Sequence, residues 1–208
     1  PDDSFSPLAQ IAQMPREFDF PREQLPSNFH YLGPWFDDRD IAPPFPFDRL
    51  DGRPLIYGSL GTLQNSRHAY FQTMAEACAM LDVQLVISVG RGSGTHLSGL
   101  AGNPIVVDYA PQLEILSRAA ATITHAGMNT TQQSLYFGVP LVAIPLTHDH
   151  PAIAARIERS RAGVVIPPTE LNSSRLREVL SAVLPQNSSY RQHAQELSHA
   201  CRQAGGSE

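Results

Sequence analysis

Residues 121–145 read ATITHAGMNTTQQSLYFGVPLVAIP, and this stretch decides the fold. Its apolar opening, which ends at Thr124, predicts a buried strand, and residues 140–145 predict a second strand. The stretch 126–137 between the two strands predicts a helix. Strands that alternate with helices and are apolar throughout are typical of a parallel sheet that is covered on both faces.

The same alternation continues on both sides of this unit. Further apolar runs of strand length lie at 54–60, 84–89, 104–109 and 163–167. Other helices are predicted over about 66–82, over 152–160 and after a cap at Asn172. The apolar faces of the first and the last consist of Tyr70, Met74, Ala77, Cys78 and Leu81, and of Leu176, Val179, Leu180 and Val183. We therefore expect an α/β fold, a Rossmann-like parallel sheet with helices on both faces, which binds ligands beyond the carboxyl ends of its strands.

The first 53 residues have a different composition. They hold ten acidic residues against five arginines, which accounts for the whole net charge of −5, and they are rich in proline. Because proline lacks a backbone donor, we expect an irregular path with short extended pieces, such as 8–14. The segment also holds nine of the 16 aromatic residues, whereas disordered segments are usually poor in them. These side chains therefore pack either on this same domain or on a domain that the chain does not contain.

Composition excludes several classes of protein. All 15 basic residues are arginine, so lysine-dependent chemistry such as a Schiff base or a Walker A phosphate site is absent. The net charge of −5 and a pI near 5.9 argue against a nucleic-acid partner. Cys78 and Cys201 are far apart and form no metal-binding motif, which favours a reducing, cytoplasmic setting. We expect neither a secretory signal nor a membrane span.

Two turns that follow predicted strands carry weak signals. In the first, 58–62, small residues and hydroxyls offer free amides that could hold phosphate oxygens, although a plain tight turn would look the same. The second, 90–95, reads GRGSGT and resembles a dinucleotide fingerprint. The glycine-rich sequence that follows it does not predict the helix that such a fingerprint needs. We expect a loop there, with Arg91 near a ligand.

The third turn, 124–131, is the most informative. It ends a strand and opens a helix, so free amides at the helix N-terminus would attract an anion. Gly127 would let a ligand approach closely, and His125 can donate to a phosphate oxygen without a metal. Further along, 148–150 reads HDH. Two histidines and one carboxylate without a fourth ligand make a poor zinc site, so these are better interpreted as polar loop residues.

Four segments together resemble a known family. YAPQ (109–112), THAGMNTTQQSLYFGVP (124–140), PLTHDH (145–150) and GSLGT (58–62) are similar to the donor-binding signature of UDP-glycosyltransferases with the GT-B fold. Within that family the chain most resembles bacterial macrolide and zeaxanthin glucosyltransferases. The resemblance covers essentially the whole chain, and it implies that the sheet is one half of a GT-B fold.

The resemblance also implies a binding site for a nucleotide sugar, with no metal and no cofactor besides this donor substrate. Its residues would be Ser59, Gly61, Thr62, Tyr109, Ala110, Gln112, His125, Gly127, Asn129, Thr130, Gln133, Asp149 and His150. Tyr109 and Gln112 would lie at the nucleobase and Gln133 at the ribose. Asp149 and His150 would lie at the sugar hydroxyls. Around the diphosphate would be Ser59, Thr62, His125, Gly127, Asn129 and Thr130.

Three positions depart from the family pattern. Tryptophan is usual at Tyr109, but tyrosine can still stack on a base. Glutamate is usual at Gln133, where an amide with one acceptor oxygen would weaken the uridine contact by about 1–2 kcal/mol. A deoxyribose donor such as a dTDP-sugar would suffer less. Glutamine is usual at His150, where histidine accompanies galactose preference in some relatives.

The implied activity is an inverting, metal-independent transfer of a hexose from a nucleotide diphosphate sugar, with UDP-glucose as the expected donor, to a hydroxyl of an apolar small molecule. In the family, the acceptor and the catalytic base come from an N-terminal domain, so we assign no catalytic residue here, including His30. We expect 1–53 to be the end of that acceptor domain plus the interdomain linker, and 54–208 to be the donor-binding domain.

Other assignments stay open. The exposed linker could support a dimer. A non-catalytic nucleotide-sugar-binding subunit of a two-chain transferase would share every motif. An NAD-dependent oxidoreductase is a third class, which the failed fingerprint disfavours.

Overall fold

The centre of the molecule is a parallel sheet of six strands. The computed structural model describes residues 5–36, 43–61, 68–90, 97 and 99–206. The sheet strands are β3 (Leu55–Ser59), β4 (Gln84–Ser88), β5 (Ile105–Val107), β6 (Ala119–Thr124), β7 (Leu141–Ala143) and β8 (Gly163–Val165). A separate parallel pair consists of β1 (Gln10–Ala12) and β2 (Phe29–Tyr31). The predicted parallel α/β sheet is confirmed.

The order of the strands locates the binding edge. Across the sheet they run β5-β4-β3-β6-β7-β8, so the chain builds one half outward from β3 and then crosses back to start the other half at β6. Ligands of such sheets bind beyond the carboxyl ends of the strands, at the point where the order reverses. In β3 and β6 those ends are in register, with Ser59 opposite Thr124.

Helices connect the strands. They are α1 (His68–Ala79), α2 (Gln112–Leu116), α3 (Met128–Tyr136), α4 (His150–Arg159), α5 (Ser173–Val183) and α6 (Ser189–Gln203). The predicted cap of α5 is confirmed, since Asn172 Oδ1 accepts from the Arg175 backbone amide at 2.9 Å. The helix predicted over 66–82 is shorter: its first two residues lie outside the described part, and Leu81 packs on the core from beyond its end. Neither α2 nor α6 was predicted.

Both faces of the sheet are covered, as the continuous apolar strands require. On one face, Ile56 and Ile123 pack with Met74 of α1 and Leu180 of α5. On the other face, the buried cluster contains these residues of β7 and of helices α3, α4 and α6: Leu135, Leu141, Ala143, Ile153, Ile157 and Leu197. Among the described residues, no helix is both long and apolar enough to span a membrane.

Residues 5–36 form a segment that we call the N-terminal arm, and it packs on the same domain. Phe18 is fully buried in the cluster that contains α4 and α6. Closer to the sheet, Phe45 and Phe47 pack beside Leu55 of β3. The interpretation that the early aromatics pack on this domain is therefore confirmed for these residues, and the expectation of an exposed linker is wrong for them. Large exposed rings remain at Phe5, Phe20 and Trp35.

A buried carboxylate fastens the arm to α4. Asp19 accepts from Arg156 at 2.6 Å, from Arg22 at 2.9 Å and from the Tyr31 hydroxyl at 2.7 Å. Arg159 donates to the backbone carbonyls of Glu17 and Asp19. Burial acts to raise the pKa of Asp19, but the hydrogen bonds from Tyr31 and Arg156 outweigh it and hold this pKa below its usual value. A charged Asp19 is thus the preferred state in the fold.

Candidate functional site

A cavity of about 520 Å³ opens at the carboxyl edge of the sheet, between the ends of β3 and β6. Eleven of the thirteen residues predicted for the donor site line it: Ser59, Gly61, Tyr109, Ala110, Gln112, His125, Gly127, Asn129, Thr130, Gln133 and His150. Thr62 and Arg91 lie outside the described residues. Asp149 is exposed at the N-cap position of α4, next to His150, where its side chain makes no capping hydrogen bond, and it does not line the cavity.

Sequence reasoning missed five lining residues, Tyr57, Ser88, Gly90, Met128 and His148. For Tyr57 a signal was present, because it lies two residues before Ser59 on the same strand, and alternate residues of a strand face the same side. Ser88 could have been found in the same way, since its strand pairs with β3 at Ser59. His148 is interpreted from the sequence only as a polar loop residue.

The turn between β6 and α3 holds one imidazole between two glycines. A methyl group at Gly127 would lie 2.5 Å from Nε2 of His125, and one at Gly61 would lie 2.8 Å from the same atom. Real side chains do not approach this closely, so only glycine leaves room for the ring at either position. Between His125 and Gly127, Ala126 adopts a φ of 66°, a left-handed conformation that is uncommon for residues other than glycine. The ring is therefore fixed at the point where α3 begins.

His125 is neutral in the free protein at pH 7. Burial, together with the nearby His150, lowers its pKa to about 4, against the opposing effects of a hydrogen bond with the Ser59 backbone and of Asp149. The rings of His125 and His150 meet edge to face, with their centroids 4.5 Å apart. A neutral imidazole still donates through one ring N–H. His125 can thus donate one hydrogen bond to an anion at the N-terminus of α3.

His150 is held in a single tautomer. Its Nδ1 accepts from the backbone amides of Thr147 at 3.0 Å and Leu146 at 3.4 Å, so the proton of the neutral ring is on Nε2. Burial lowers its pKa as well, although Asp149 acts in the opposite direction. His150 therefore also offers an N–H donor to the cavity it lines.

The rest of the cavity combines an aromatic ring with amide side chains. Tyr109 is half-exposed on the loop after β5, where its ring is free to stack on a planar group. Gln112 and Gln133 contact each other through their side-chain amides. Together with free amides at the start of α3, these groups suit a ligand that has a planar ring, an anionic centre and hydroxyls.

The histidines near α4 do not assemble into a metal site. The rings of His148 and His150 lie 6.3 Å apart, centroid to centroid. In the described part of the chain, no group of three or more histidine, cysteine, aspartate or glutamate side chains is arranged to hold a metal ion. His148 itself has a φ of 55° and lies exposed at the cavity.

The chain is similar to known proteins in both sequence and fold. The family model of the erythromycin biosynthesis protein CIII-like C-terminal domain matches residues 72–204. An uncharacterised UDP-glucosyltransferase of Bacillus subtilis, YojK, is 38% identical over 186 residues, which are 89% of this chain and 46% of that protein. The zeaxanthin glucosyltransferase of Pantoea ananas is 37% identical over 208 residues, 97% of this chain and 47% of the relative.

Among solved structures, the glycosyltransferase of kitacinnamycin superposes with a TM-score of 0.84 at 26% identity. That similarity covers 96% of this chain and 52% of the other. The chain spans about half the length of the curated relatives and the structure that it matches.

Proposed function

The chain belongs to the erythromycin biosynthesis protein CIII-like family, as its C-terminal domain, and from this we propose that the cavity binds the nucleotide diphosphate sugar donor of a glycosyltransferase. The fold is that of a GT-B C-terminal half. One observation carries the proposal: eleven of the thirteen residues predicted from the donor signature, which are scattered from 59 to 150 in the sequence, line a single cavity at the reversal point of the sheet.

In this proposal the diphosphate lies at the start of α3. Displacing a nucleoside diphosphate from the sugar carbon develops negative charge on the leaving phosphate. The free amides of α3 and a ring N–H of His125 donate to that charge from fixed positions, which is the kind of stabilisation that a preorganised site provides. In this proposal these fixed donors stabilise the charge of the leaving phosphate in place of a divalent cation. The reaction is an inverting displacement.

The remaining parts of the donor are assigned to neighbouring side chains. Tyr109 stacks on the base, Gln133 meets the pentose, and His150 with Asp149 binds the sugar hydroxyls. The names of the two curated relatives, a UDP-glucosyltransferase and a zeaxanthin glucosyltransferase, support UDP-glucose as the donor. The Nε2–H of His150 is a donor whose position is set by the backbone of Leu146 and Thr147, so this residue selects the sugar by where it can donate.

The acceptor side lies on a second domain in this proposal. The relatives are about twice as long as this chain of 208 residues, which supports a partner domain that holds an apolar small-molecule alcohol and supplies the general base. The only histidine of the N-terminal arm, His30, is exposed on β2 and does not line the cavity. A non-catalytic nucleotide-sugar-binding subunit, paired with a separate chain, would use the same cavity.

Thermal unfolding with added nucleotides tests this proposal. A ligand at about 100 times its dissociation constant stabilises the folded state by about 2.7 kcal/mol. We expect UDP and UDP-glucose to raise the Tm, with or without a chelator, and NAD to leave it unchanged. Stabilisation by NAD and not by UDP would replace the proposal with a dinucleotide site. Stabilisation by UDP that requires magnesium would contradict the metal-independent mechanism.

A further inference from the structure

Three side chains at the floor of the cavity form a hydrogen-bond chain, in which the first donates to the second and the second to the third. The Tyr57 hydroxyl donates to Oε1 of Gln112 at 2.8 Å. Nε2 of Gln112 then donates to Oε1 of Gln133, and more weakly to Oγ1 of Thr130 at 3.4 Å. Among the described residues, none accepts from the Gln133 amide nitrogen.

Tyr57 is the first donor of this hydrogen-bond chain and sets its direction. This residue lies in the middle of β3 and is 1% exposed. Burial raises its pKa to about 12, against hydrogen bonds with Ser88 and Ser59 that act to lower it, so the hydroxyl keeps its single proton throughout the physiological range and donates it to Gln112. A carbonyl oxygen only accepts, so an amide that receives the tyrosyl proton on its oxygen must turn its nitrogen away. Gln112 therefore donates an N–H to Gln133, and Gln133 must accept it with its own carbonyl oxygen.

The consequence falls on the face that Gln133 offers to a ligand. Its carbonyl oxygen is engaged by Gln112, and what remains for the cavity is the NH₂ group. A carboxylate at this position would accept from both hydroxyls of a ribose, whereas an amide nitrogen can only donate to a pentose oxygen. The side chain thus contacts the pentose as a donor, and the 3′-oxygen, which ribose and 2′-deoxyribose share, can accept from it as the 2′-oxygen can.

We propose that Tyr57 is a positioning residue for nucleotide selectivity: through Gln112 it holds Gln133 with its amide nitrogen toward the pentose, so that the site accepts ribose and 2′-deoxyribose nucleoside diphosphates almost equally. This inference rests on the proposed function, because it places the pentose of the donor at Gln133. Tyr57, a buried residue of β3, thereby influences nucleotide selectivity.

The test compares UDP with 2′-deoxy-UDP, which share a base and a diphosphate and differ in one hydroxyl. Calorimetry gives both dissociation constants for the unaltered chain and for two variants. Tyr57→Phe removes only the hydroxyl, so Gln112 is no longer held in one orientation. Gln112→Glu keeps an acceptor for Tyr57 but can only accept from Gln133, which forces the Gln133 carbonyl toward the pentose. Tyr190→Phe, at a half-buried ring on α6 away from the cavity, is the control.

We expect the unaltered chain to bind the two nucleotides within about threefold of each other, since a single neutral hydrogen bond is worth little in net terms. The preference for UDP should rise by about fivefold or more in Gln112→Glu, and by a smaller factor in Tyr57→Phe, while Tyr190→Phe leaves it unchanged. The added charge of Gln112→Glu weakens both nucleotides alike, so it cancels in the ratio.

A role for Tyr57 in stability alone would weaken both nucleotides without changing their ratio, and that result would overturn the inference. So would a strong preference for UDP in the unaltered chain. If Tyr57→Phe does not fold, the Gln112→Glu ratio decides by itself. Failure to bind either nucleotide would instead refute the proposed function, so the two failures are distinguishable.

Discussion

At the scale of single residues, the position of the His125 imidazole requires glycine at two other positions of the site. The Nε2 atom of His125 lies where a side chain on Gly61 or Gly127 would have to be. The two glycines belong to different strand-to-helix turns, one after β3 and the other after β6. The same arrangement that admits the ring therefore also joins both halves of the sheet at the proposed phosphate position.

Replacing His125 by alanine should weaken nucleotide binding. The change removes an N–H donor to an anionic oxygen, which is worth about 1.5–3 kcal/mol, or about 10- to 150-fold in the dissociation constant of UDP. Calorimetric titration with UDP measures it, and circular dichroism verifies the fold. His199→Ala, on the exposed side of α6, is the matched control and should bind as the unaltered chain does. An unchanged affinity in His125→Ala would remove this residue from the site.

Protonation of His125 should also make stability depend on pH. Its pKa is about 4 in the fold and near 6.5 when unfolded, so between these values the unfolded chain binds more protons. Stability is therefore fully present above pH 6.5 and falls as the pH drops toward 4, by about 2–3 kcal/mol from this group.

Urea unfolding at pH 7 and pH 4.5 measures this effect. His125→Gln does not titrate in this range, so the difference in unfolding free energy between the two pH values should shrink. The pKa of His150 is lowered as well, so part of the dependence should remain. An equal pH dependence in the variant and the unaltered chain would show that His125 is not protonated on unfolding.

The sequence anticipated most of these residues but not how they contact one another. His125, Gly127 and Gln133 follow from a turn whose signature is contiguous. The hydrogen bond from Tyr57 to Gln112 joins residues 55 positions apart, and its direction depends on the buried Tyr57 hydroxyl. Nothing local in the sequence specifies either feature. The proposed orientation of Gln133 therefore could not be predicted from the sequence, which indicates only a weaker contact with the pentose.

At the scale of elements, the strands were predictable because their burial is continuous along the sequence. Helix α6 was not, because its buried face consists only of Arg191, Ala194, Leu197 and Cys201. So few apolar residues predict little by themselves. Helix α6 is stabilised by the N-terminal arm that packs on it, since Phe18 and Met14 of this arm belong to the same buried cluster. Long-range packing, rather than periodicity, determines this element.

Asp19→Asn should loosen the N-terminal arm from α4. The Asp19 side chain is fully buried and that of Arg156 is 14% exposed, so the change leaves an arginine without its charged partner. Removing one partner of a buried pair is costly, and we expect a loss of about 2–4 kcal/mol in the free energy of unfolding. Hydrogen exchange should also quicken in residues 10–31.

Asp51→Asn is the control for this prediction, because it breaks an ion pair with Arg53 in which both side chains are about 40% exposed. Urea unfolding should show no measurable effect of that change. Equal stabilities of the two variants would mean that the Asp19 pair does not hold the arm.

At the scale of the whole molecule, the charge and the apolar surface are unevenly shared. The net charge of −5 belongs to the first 53 residues, and large exposed rings lie at Phe5, Phe20 and Trp35 of the arm. Phe20 is already covered in part by the guanidinium groups of Arg156 and Arg159. We propose that the exposed aromatic rings of this arm face the acceptor domain.

The last prediction is that residues 1–208 alone bind the donor without transferring the sugar. Transfer to an alcohol needs a base that takes its proton, which typically contributes about 10²–10⁴ in rate. It also needs the alcohol held in line with the sugar carbon, which can supply about 7–11 kcal/mol of the barrier. The cavity histidines, His125, His148 and His150, are assigned to the donor side or lie at the edge of the cavity, which leaves both duties to the partner domain.

Incubation with UDP-glucose and a hydrophobic alcohol tests this, with released UDP and glycoside as the two products measured. Binding of UDP-glucose by calorimetry, without glycoside formation, is the expected result. Addition of the acceptor domain as a separate chain should then restore turnover, because the missing base and alcohol site are supplied in trans. Turnover at an enzymatic rate by residues 1–208, lost on His125→Ala, would contradict the prediction and place a complete active site within these residues.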